Sequence, residues 1–168
     1  MRFEYCAKIG GETVAKIAES MRDNLKHLAI VRNFNEKAAK IDDEAIESLS
    51  NHCPNLEHLE IVYSRKFDDK ICRNLGSGRL RNLKTLDLSY CPIQCSMEPL
   101  VKNCPQLFEL KLAGDSFIRK LVLTSIALLP ELRIFHLGHF DHSDLDCQKV
   151  IPQDPVFSGY STKGIVVA

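Results

Sequence analysis

Cysteine and histidine side chains recur at short spacings in this chain, and such residues can hold a metal ion or act as a nucleophile with its base. The candidates are Cys91, Cys95, Cys104, His136, His139 and His142. A zinc site needs four ligands that converge on one point at about 2.0–2.3 Å. A cysteine nucleophile needs its thiol beside a histidine in a cleft. Both chemistries therefore depend on the elements that position these side chains.

A leucine pattern that recurs five times predicts those elements. The frame is L-x-x-L-x-L, with Ile or Phe as replacements, and it begins at Leu25, Leu56, Leu83, Leu107 and Leu132. The successive spacings of 31, 27, 24 and 25 residues are in or near the range of about 20–29 for leucine-rich repeats. One repeat cannot bury its leucines alone, so neighbours stack and their strands join into a parallel sheet. We predict an α/β leucine-rich-repeat solenoid (horseshoe), with parallel strands on the concave face and helices or turns on the convex face.

The segments between the frames show apolar residues at helical spacing, which predicts the convex elements. These segments are 12–21, 43–49, 68–75, 97–101 and 121–129. Asp43 and Glu44 place negative charge at a helix start, where the helix dipole favours it. Pro99 fits only in a first helical turn, so the fourth segment is the weakest helix.

Two positions of the repeat predict structural roles for cysteine. Cys53 and Cys104 stand three residues before a frame, where other repeats have Leu80 and Leu129, so the position is a small buried apolar slot. The eighth residue after each first leucine is mostly small and polar or a thiol, which suits capping of backbone amides where the strand turns away. These residues are Asn33, Ser64, Cys91, Asp115 and Phe140.

The same register separates the candidate metal ligands. Cys104 is predicted to point into the interior, whereas His136 lies on the opposite, concave side of the sheet. Most thiols occupy slots shared with leucine or lie at turns, away from a catalytic histidine. Gly10-Gly11 and Gly76-Ser77-Gly78 lack the spacing and the following Lys-Ser/Thr of a phosphate loop and indicate turns. We expect no enzyme, no metal and no cofactor.

Composition narrows the class of partner. The 168 residues carry 22 Lys+Arg and 22 Asp+Glu with no basic run, which argues against nucleic acid and anionic membranes. No apolar stretch approaches the roughly eighteen residues of a membrane span, and the N-terminus is too polar for a secretory signal. Seven cysteines do not form a paired framework, so we expect reduced thiols in the cytoplasm or nucleus.

The two ends of the repeat array differ from its middle. Phe3-Glu4-Tyr5 matches the end of a strand, with Phe3 aligned to Leu28, and residues 1–10 offer no cap for terminal leucines. The expectation is that this chain is a piece of a longer protein or a product lacking its N-terminal region. We place the repeat domain at 1–140, with about five full repeats and a partial first one. Residues 141–168 are expected to be an irregular C-terminal cap or tail.

The repeats resemble a known family. Cys53-Pro54-Asn55-Leu56 and Cys104-Pro105-Gln106-Leu107 each continue into the leucine frame, and Leu83 to Cys91 matches the same motif through its cysteine. Over about residues 24–140 this is similar to the cysteine-containing repeats of F-box/leucine-rich-repeat proteins. The resemblance implies a protein substrate on the concave face. In that family an N-terminal F-box recruits the Skp adaptor of a cullin-type ubiquitin ligase, and since no F-box is visible here, Skp binding is implied only if one lies upstream.

The outward positions of the frame form a predicted binding surface on the concave face. Its residues are His58, Glu60, Tyr63, Thr85, Asp87, Tyr90, Glu109, Lys111 and His136. Glu60 and Asp87 are expected side by side in adjacent strands, flanked by Tyr63 and Tyr90, an arrangement that suits a basic peptide or surface. The alternative is a polar face that simply contacts water.

The sequence is compatible with three functions. The first is the substrate-recognition part of a ubiquitin ligase receptor. The second is a free-standing scaffold or inhibitor protein, and the third is a truncated, non-functional product.

Overall fold

The computed structural model describes residues 1–6, 8–32, 41–64, 67, 70–91, 93, 96–113, 125–137 and 165–166. Within them, one sheet holds seven strands in chain order, and the first six are parallel. The strands are β1 Arg2–Glu4, β2 His27–Val31, β3 His58–Val62, β4 Thr85–Asp87, β5 Glu109–Lys111, β6 Ile134–Leu137 and β7 Ile165–Val166. The helices are α1 Gly11–Met21, a 3₁₀ turn at Arg22–Asn24, α2 Asp43–His52, α3 Lys70–Leu75 and α4 Glu98–Asn103.

The leucines of the frame form the core between the sheet and the helices. Leu28, Leu59, Leu86 and Leu110 are paired in register across four strands, and Phe135 follows at the fifth. Each of these five side chains is at most 2% exposed. The chain is therefore a leucine-rich-repeat solenoid, and the predicted fold is confirmed.

The predicted helices begin where local chemistry favours them. Asp42 caps α2, because its Oδ1 accepts the Ala45 amide at 3.3 Å. Pro99 lies in the first turn of α4, the one place where its missing amide costs nothing. In the predicted segment 121–129, Ser125 and Ile126 are helical, and 121–124 lie outside the described residues.

Asparagine amides tie each repeat to the one before it. Asn55 Nδ2 donates to the Asp23 carbonyl at 3.0 Å, and Asn82 Nδ2 repeats the bond one unit later with Pro54 at 3.1 Å. On the helical side, Asn103 Nδ2 donates to the Gly76 carbonyl at 2.7 Å. Each bond gives a carbonyl of the preceding unit a side-chain donor.

The predicted alignment of β1 was wrong by two residues. Phe3 pairs with Ile30 and not with Leu28, so that Arg2 pairs with Ala29 and Glu4 with Val31. The sequence alignment matched apolar residues, but a strand this short offers too few of them to fix its register. The consequence is that Arg2 and Glu4 both face the concave side.

The eighth residue after the first leucine of each frame was predicted to cap backbone amides, but where the structure describes it the side chain donates to a carbonyl. Ser64 Oγ donates to the Ile41 carbonyl at 2.7 Å, and Cys91 Sγ donates to the Ile61 carbonyl at 3.2 Å. Both side chains therefore donate to a carbonyl of the preceding unit. Asn33, Asp115 and Phe140 lie outside the described residues.

The cysteine slot is as predicted, whereas the expectation of reduced thiols fails at one residue. Cys53, Leu80 and Cys104 are fully buried. The thiols of Cys53 and Cys104 approach the Ala18 and Leu75 carbonyls at 3.7 and 3.6 Å, which adds a weak hydrogen bond that leucine cannot make. Cys72, in contrast, is disulfide-bonded.

Because these thiols are buried, the free energy of unfolding should fall as the pH becomes alkaline. Burial raises the pKa of Cys53 to about 11 and that of Cys104 to about 12, against 9.0 for an exposed thiol. Unfolded thiols lose their protons first, so this contribution is complete below pH 9.0 and is lost as pH rises towards 11 and 12. We expect the urea midpoint to fall across that window, and to fall less in the Cys53→Ala/Cys104→Ala variant. An equal fall in both proteins would contradict this assignment.

Part of the C-terminal segment joins the sheet. β7 pairs antiparallel with β6, with Val166 opposite His136 and Ile165 opposite Leu137. These two residues are the part of the predicted tail 141–168 that lies within the described residues. The last parallel strand thus has a partner on its outer edge, which protects its backbone polar groups.

No helix in the described part of the chain combines the length and the apolar character that a membrane crossing requires.

Candidate protein-binding surface

Counted with the first leucine of each frame as position one, the residues at position five form one continuous row across the concave face. We call it the central row, and successive strand pairings define it. Its members are Arg2, Ala29, Glu60, Asp87, Lys111 and His136. Neighbouring strands are about 4.8 Å apart, so the charged groups of this row are close enough to interact. Its order of charge is therefore basic, neutral, acidic, acidic and basic, ending in a histidine.

Arg2 reaches over Ala29 to bind Glu60. Its Nη1 lies 2.6 Å from Glu60 Oε2, and its Nε lies 2.6 Å from Glu4 Oε1. Two strand spacings separate Arg2 from Glu60, and a long side chain spans that gap only because the residue between them is alanine. Hydrogen bonds to Glu4 and Glu60 raise the pKa of Arg2. The chain's own guanidinium thus occupies one end of the acidic pair.

Asp87 and Lys111 form the other half of the row. Asp87 Oδ1 accepts the Ser89 amide at 2.9 Å, which fixes the carboxylate where the strand ends. Lys111 Nζ lies 2.9 Å from Glu109 Oε1. Burial lowers the pKa of Lys111, but the Glu109 hydrogen bond and the charges of Glu109, Asp87 and Glu60 outweigh it and raise the pKa overall. Lys111 stays charged, and it offsets part of the acidic field.

The third positions place two histidines against each other. The rings of His27 and His58 are stacked with centroids 4.3 Å apart and an interplanar angle of 9°. Burial and the neighbouring His27 lower the pKa of His58, which keeps its ring neutral at physiological pH. Together with the central row from Arg2 to Lys111, these rings line a shallow groove of about 350 Å³. The groove is open enough for side chains of a protein partner rather than a small molecule.

Tyrosines mark the end of three strands in a backbone conformation that residues with a Cβ rarely adopt. Tyr5, Tyr63 and Tyr90 have φ values of 54°, 64° and 59°. Each of their amides donates to a carbonyl of the next repeat unit: Tyr5 to Val31 at 2.9 Å, Tyr63 to Ser89 at 3.0 Å and Tyr90 to Ala113 at 2.7 Å. The left-handed conformation thus lets the chain make one more backbone hydrogen bond to the next unit as it leaves the sheet.

The turn itself explains the φ value but not the choice of tyrosine. A left-handed conformation costs a residue with a Cβ roughly 1–2 kcal/mol, and glycine would remove that cost. The rings of Tyr63 and Tyr90 are stacked at 4.2 Å with an interplanar angle of 11°, and Tyr90 remains 44% exposed. Burial and the neighbouring Tyr90 raise the pKa of Tyr63, so the Tyr63 hydroxyl keeps its proton.

All nine residues of the predicted surface lie on the concave side of the described sheet or at its strand ends. Glu60 pairs directly with Asp87, and Thr85 and Glu109 continue the row of His58. His136 Nε2 lies 3.6 Å from Glu109 Oε1. Arg2 and Glu4 lie on the same face and were not predicted from the sequence. An alignment of Tyr5 with Tyr63 and Tyr90 would have given the observed register and found both.

Three or more potential metal ligands do not converge anywhere in the described part of the chain. Cys104 is buried and His136 lies on the central row, so these two point to opposite sides of the sheet. Cys95, His139 and His142 lie outside the described residues.

No family model matches the sequence. Among solved structures, the chain is similar to the C-terminal domain of tropomodulin from Caenorhabditis elegans, with 14% sequence identity and a TM-score of 0.45. The match covers 85% of this chain and 89% of that chain.

Proposed function

We propose that this chain is a protein-binding module that holds a partner on its concave face. The partner segment carries a basic side chain, which the acidic pair Glu60 and Asp87 receives. The tyrosine pair supplies the apolar contact beside it. Recognition of this kind combines rigid aromatic area with a fixed charge complement.

The observation that carries the proposal is the stacked pair of left-handed tyrosines. Residues kept in a costly backbone conformation are concentrated at functional sites. Tyr63 and Tyr90 keep theirs where glycine would relieve it, and Tyr90 still exposes 44% of its surface. Large aromatic rings that are held rigid yet exposed lose little entropy when a partner covers them.

The sign of the charge on this face favours a basic partner. Four acidic side chains, Glu4, Glu60, Asp87 and Glu109, face two basic ones, Arg2 and Lys111. Arg2 also shows that a guanidinium fits the geometry, because it already binds Glu60 at 2.6 Å. A second cation from a partner would find Asp87 on the next strand, between Glu60 and Lys111.

Charge reversal of the acidic pair should therefore change what the chain binds. In Glu60→Lys/Asp87→Lys we expect the set of captured proteins to change and binding of basic peptides to weaken by about tenfold or more. The measurement is quantitative mass spectrometry of pull-downs, combined with selection from a random peptide library. The effect on peptide binding should shrink with added salt, because exposed charges are screened.

A matched control reverses two charges on the convex face. Glu44→Lys/Glu47→Lys changes the net charge equally on exposed positions of α2. This control should keep the partner set of the unchanged protein. If the concave variant also keeps it, the acidic pair is not part of a binding surface.

A finer version of the proposal makes the chain the substrate-recognition repeats of an F-box-type ubiquitin ligase receptor. It is supported by the Cys-Pro-x-Leu motifs and by the buried cysteines, whose thiols bond to carbonyls of the preceding repeat unit. The Skp adaptor would then bind only through an F-box. Copurification of Skp with an isoform that carries an F-box, and not with these residues alone, is the expected result. If Skp copurifies with neither protein, the ligase-receptor proposal is wrong, and the proposal of a protein-binding module still stands.

A further inference from the structure

In the sheet of the described residues, β1 is hydrogen-bonded to β2 on one side, and exposed apolar side chains flank its other edge. Among the described residues five large apolar side chains are exposed, and two of them flank β1: Met1 at 51% and Tyr5 at 62%. Further apolar side chains border the core at this end and are only partly buried. They are Phe3, Ile9, Ile17 and Met21. Apolar surface concentrated on one face indicates an interaction site.

The backbone of β1 offers hydrogen bonds in the same place. The Met1 carbonyl accepts the Ala29 amide and the Tyr5 amide donates to Val31, both at 2.9 Å. Backbone polar groups alternate in direction along a strand, so those of Arg2 and Glu4 point away from β2. The outward carbonyl of Glu4 accepts the thiol of Cys6 at 3.3 Å, a weak donor that a strand amide can replace.

We propose that this edge pairs with the β1 edge of a second copy of the chain, antiparallel and centred on Phe3. In that register the outward backbone groups of Arg2 meet those of Glu4 of the second copy, and a twofold axis repeats the pair. Such a register makes Arg2 and Glu4 the hydrogen-bonded pairs of an antiparallel ladder. The two sheets become one continuous sheet with both concave faces on the same side.

Charge complementarity identifies the second copy as the occupant. Arg2 and Glu4 flank Phe3 with opposite charges, so antiparallel self-pairing sets each arginine opposite a glutamate. Two arginines and two glutamates then alternate around the axis. A closed twofold interface requires a self-complementary patch of this kind.

The same register also covers the apolar side chains. Residues directly opposite each other in an antiparallel pair lie on the same face of the sheet. Phe3 therefore meets Phe3 of the second copy, and Met1 and Tyr5 lie at the two ends of the paired strands. On the helical side, the two α1 helices come together through Ile17 and Met21.

Charge reversal tests the register. Unchanged protein should sediment at twice the 19.0 kDa of the chain as concentration rises. Glu4→Arg sets arginine opposite arginine and should weaken dimerisation by about tenfold. Arg2→Glu should do the same, and an equimolar mixture of the two variants should restore dimers as heterodimers, measured by native mass spectrometry.

The control Arg73→Glu reverses one exposed charge on α3 and should leave the dimer unchanged. Circular dichroism of each variant separates loss of dimer from loss of fold. Three results would overturn the proposal: monomers at all concentrations, a dimer that both single variants retain, or a mixture that forms no heterodimer. The second of these would place the interface elsewhere on the chain.

Discussion

Gly76→Ala should lower the free energy of unfolding by about 2–3 kcal/mol, in the upper part of the range for overpacking a tight interior. A Cβ on Gly76 would lie 2.3 Å from the Pro99 carbonyl carbon and 2.4 Å from its oxygen. These are backbone atoms in the first turn of α4, so no side-chain rotation can relieve the overlap. The glycine is needed here because two convex segments approach closely, and Asn103 holds them together through the Gly76 carbonyl.

Urea unfolding followed by circular dichroism measures this cost, and two neighbours serve as controls. Ser77 is exposed, so Ser77→Ala should change stability by less than about 0.5 kcal/mol. Gly78 has φ of +87°, and a Cβ added there would lie 3.4 Å from Asn103 Oδ1, which is an ordinary van der Waals distance. Gly78→Ala should therefore cost about 1 kcal/mol, from backbone strain alone. A Gly76→Ala protein as stable as Ser77→Ala would mean that α4 moves away freely.

Leu86→Ala should cost about 3–4 kcal/mol, through lost burial and the cavity left in the core. Leu86 is fully buried in β4, between Leu59 and Leu110 of the neighbouring strands. Each repeat of a solenoid contacts only its neighbours, so a defect in a central strand also uncouples the two halves. We therefore expect a shallower urea transition as well as a lower midpoint.

Thr85→Ala provides the comparison, because Thr85 is the preceding residue on the same strand and faces the concave side. Its cost should stay below about 1 kcal/mol and its transition should remain steep. Equal costs for the two variants would show that the core does not depend on the leucine ladder.

The leucine ladder was predictable because its information is local and repeated. Spacing alone placed Leu59, Leu86 and Leu110 in one buried layer and brought Glu60 beside Asp87. The register of β1 was not predictable from apolar matches, because one phenylalanine can be aligned with either of two inward positions. The disulfide at Cys72 was also beyond the sequence, since spacing does not determine connectivity.

For the tyrosines, the sequence predicted the position but not the backbone conformation. Sequence placed Tyr63 and Tyr90 near each other at the strand ends. It did not predict their left-handed backbone, because that conformation is usually filled by glycine or asparagine. The stacked geometry follows from that backbone, which aims both rings along the same direction.

Because Ala29 leaves a gap between Arg2 and Glu60, the ion pair can be transferred to another repeat protein only together with the repeat between them. The ion pair spans three strands, so no single repeat contains the recognition element. Deleting the unit around β2 would bring the two charges onto adjacent strands, and inserting a unit would carry them out of reach. Transplanting this specificity into another solenoid therefore requires moving three consecutive units together, with the small residue in the middle.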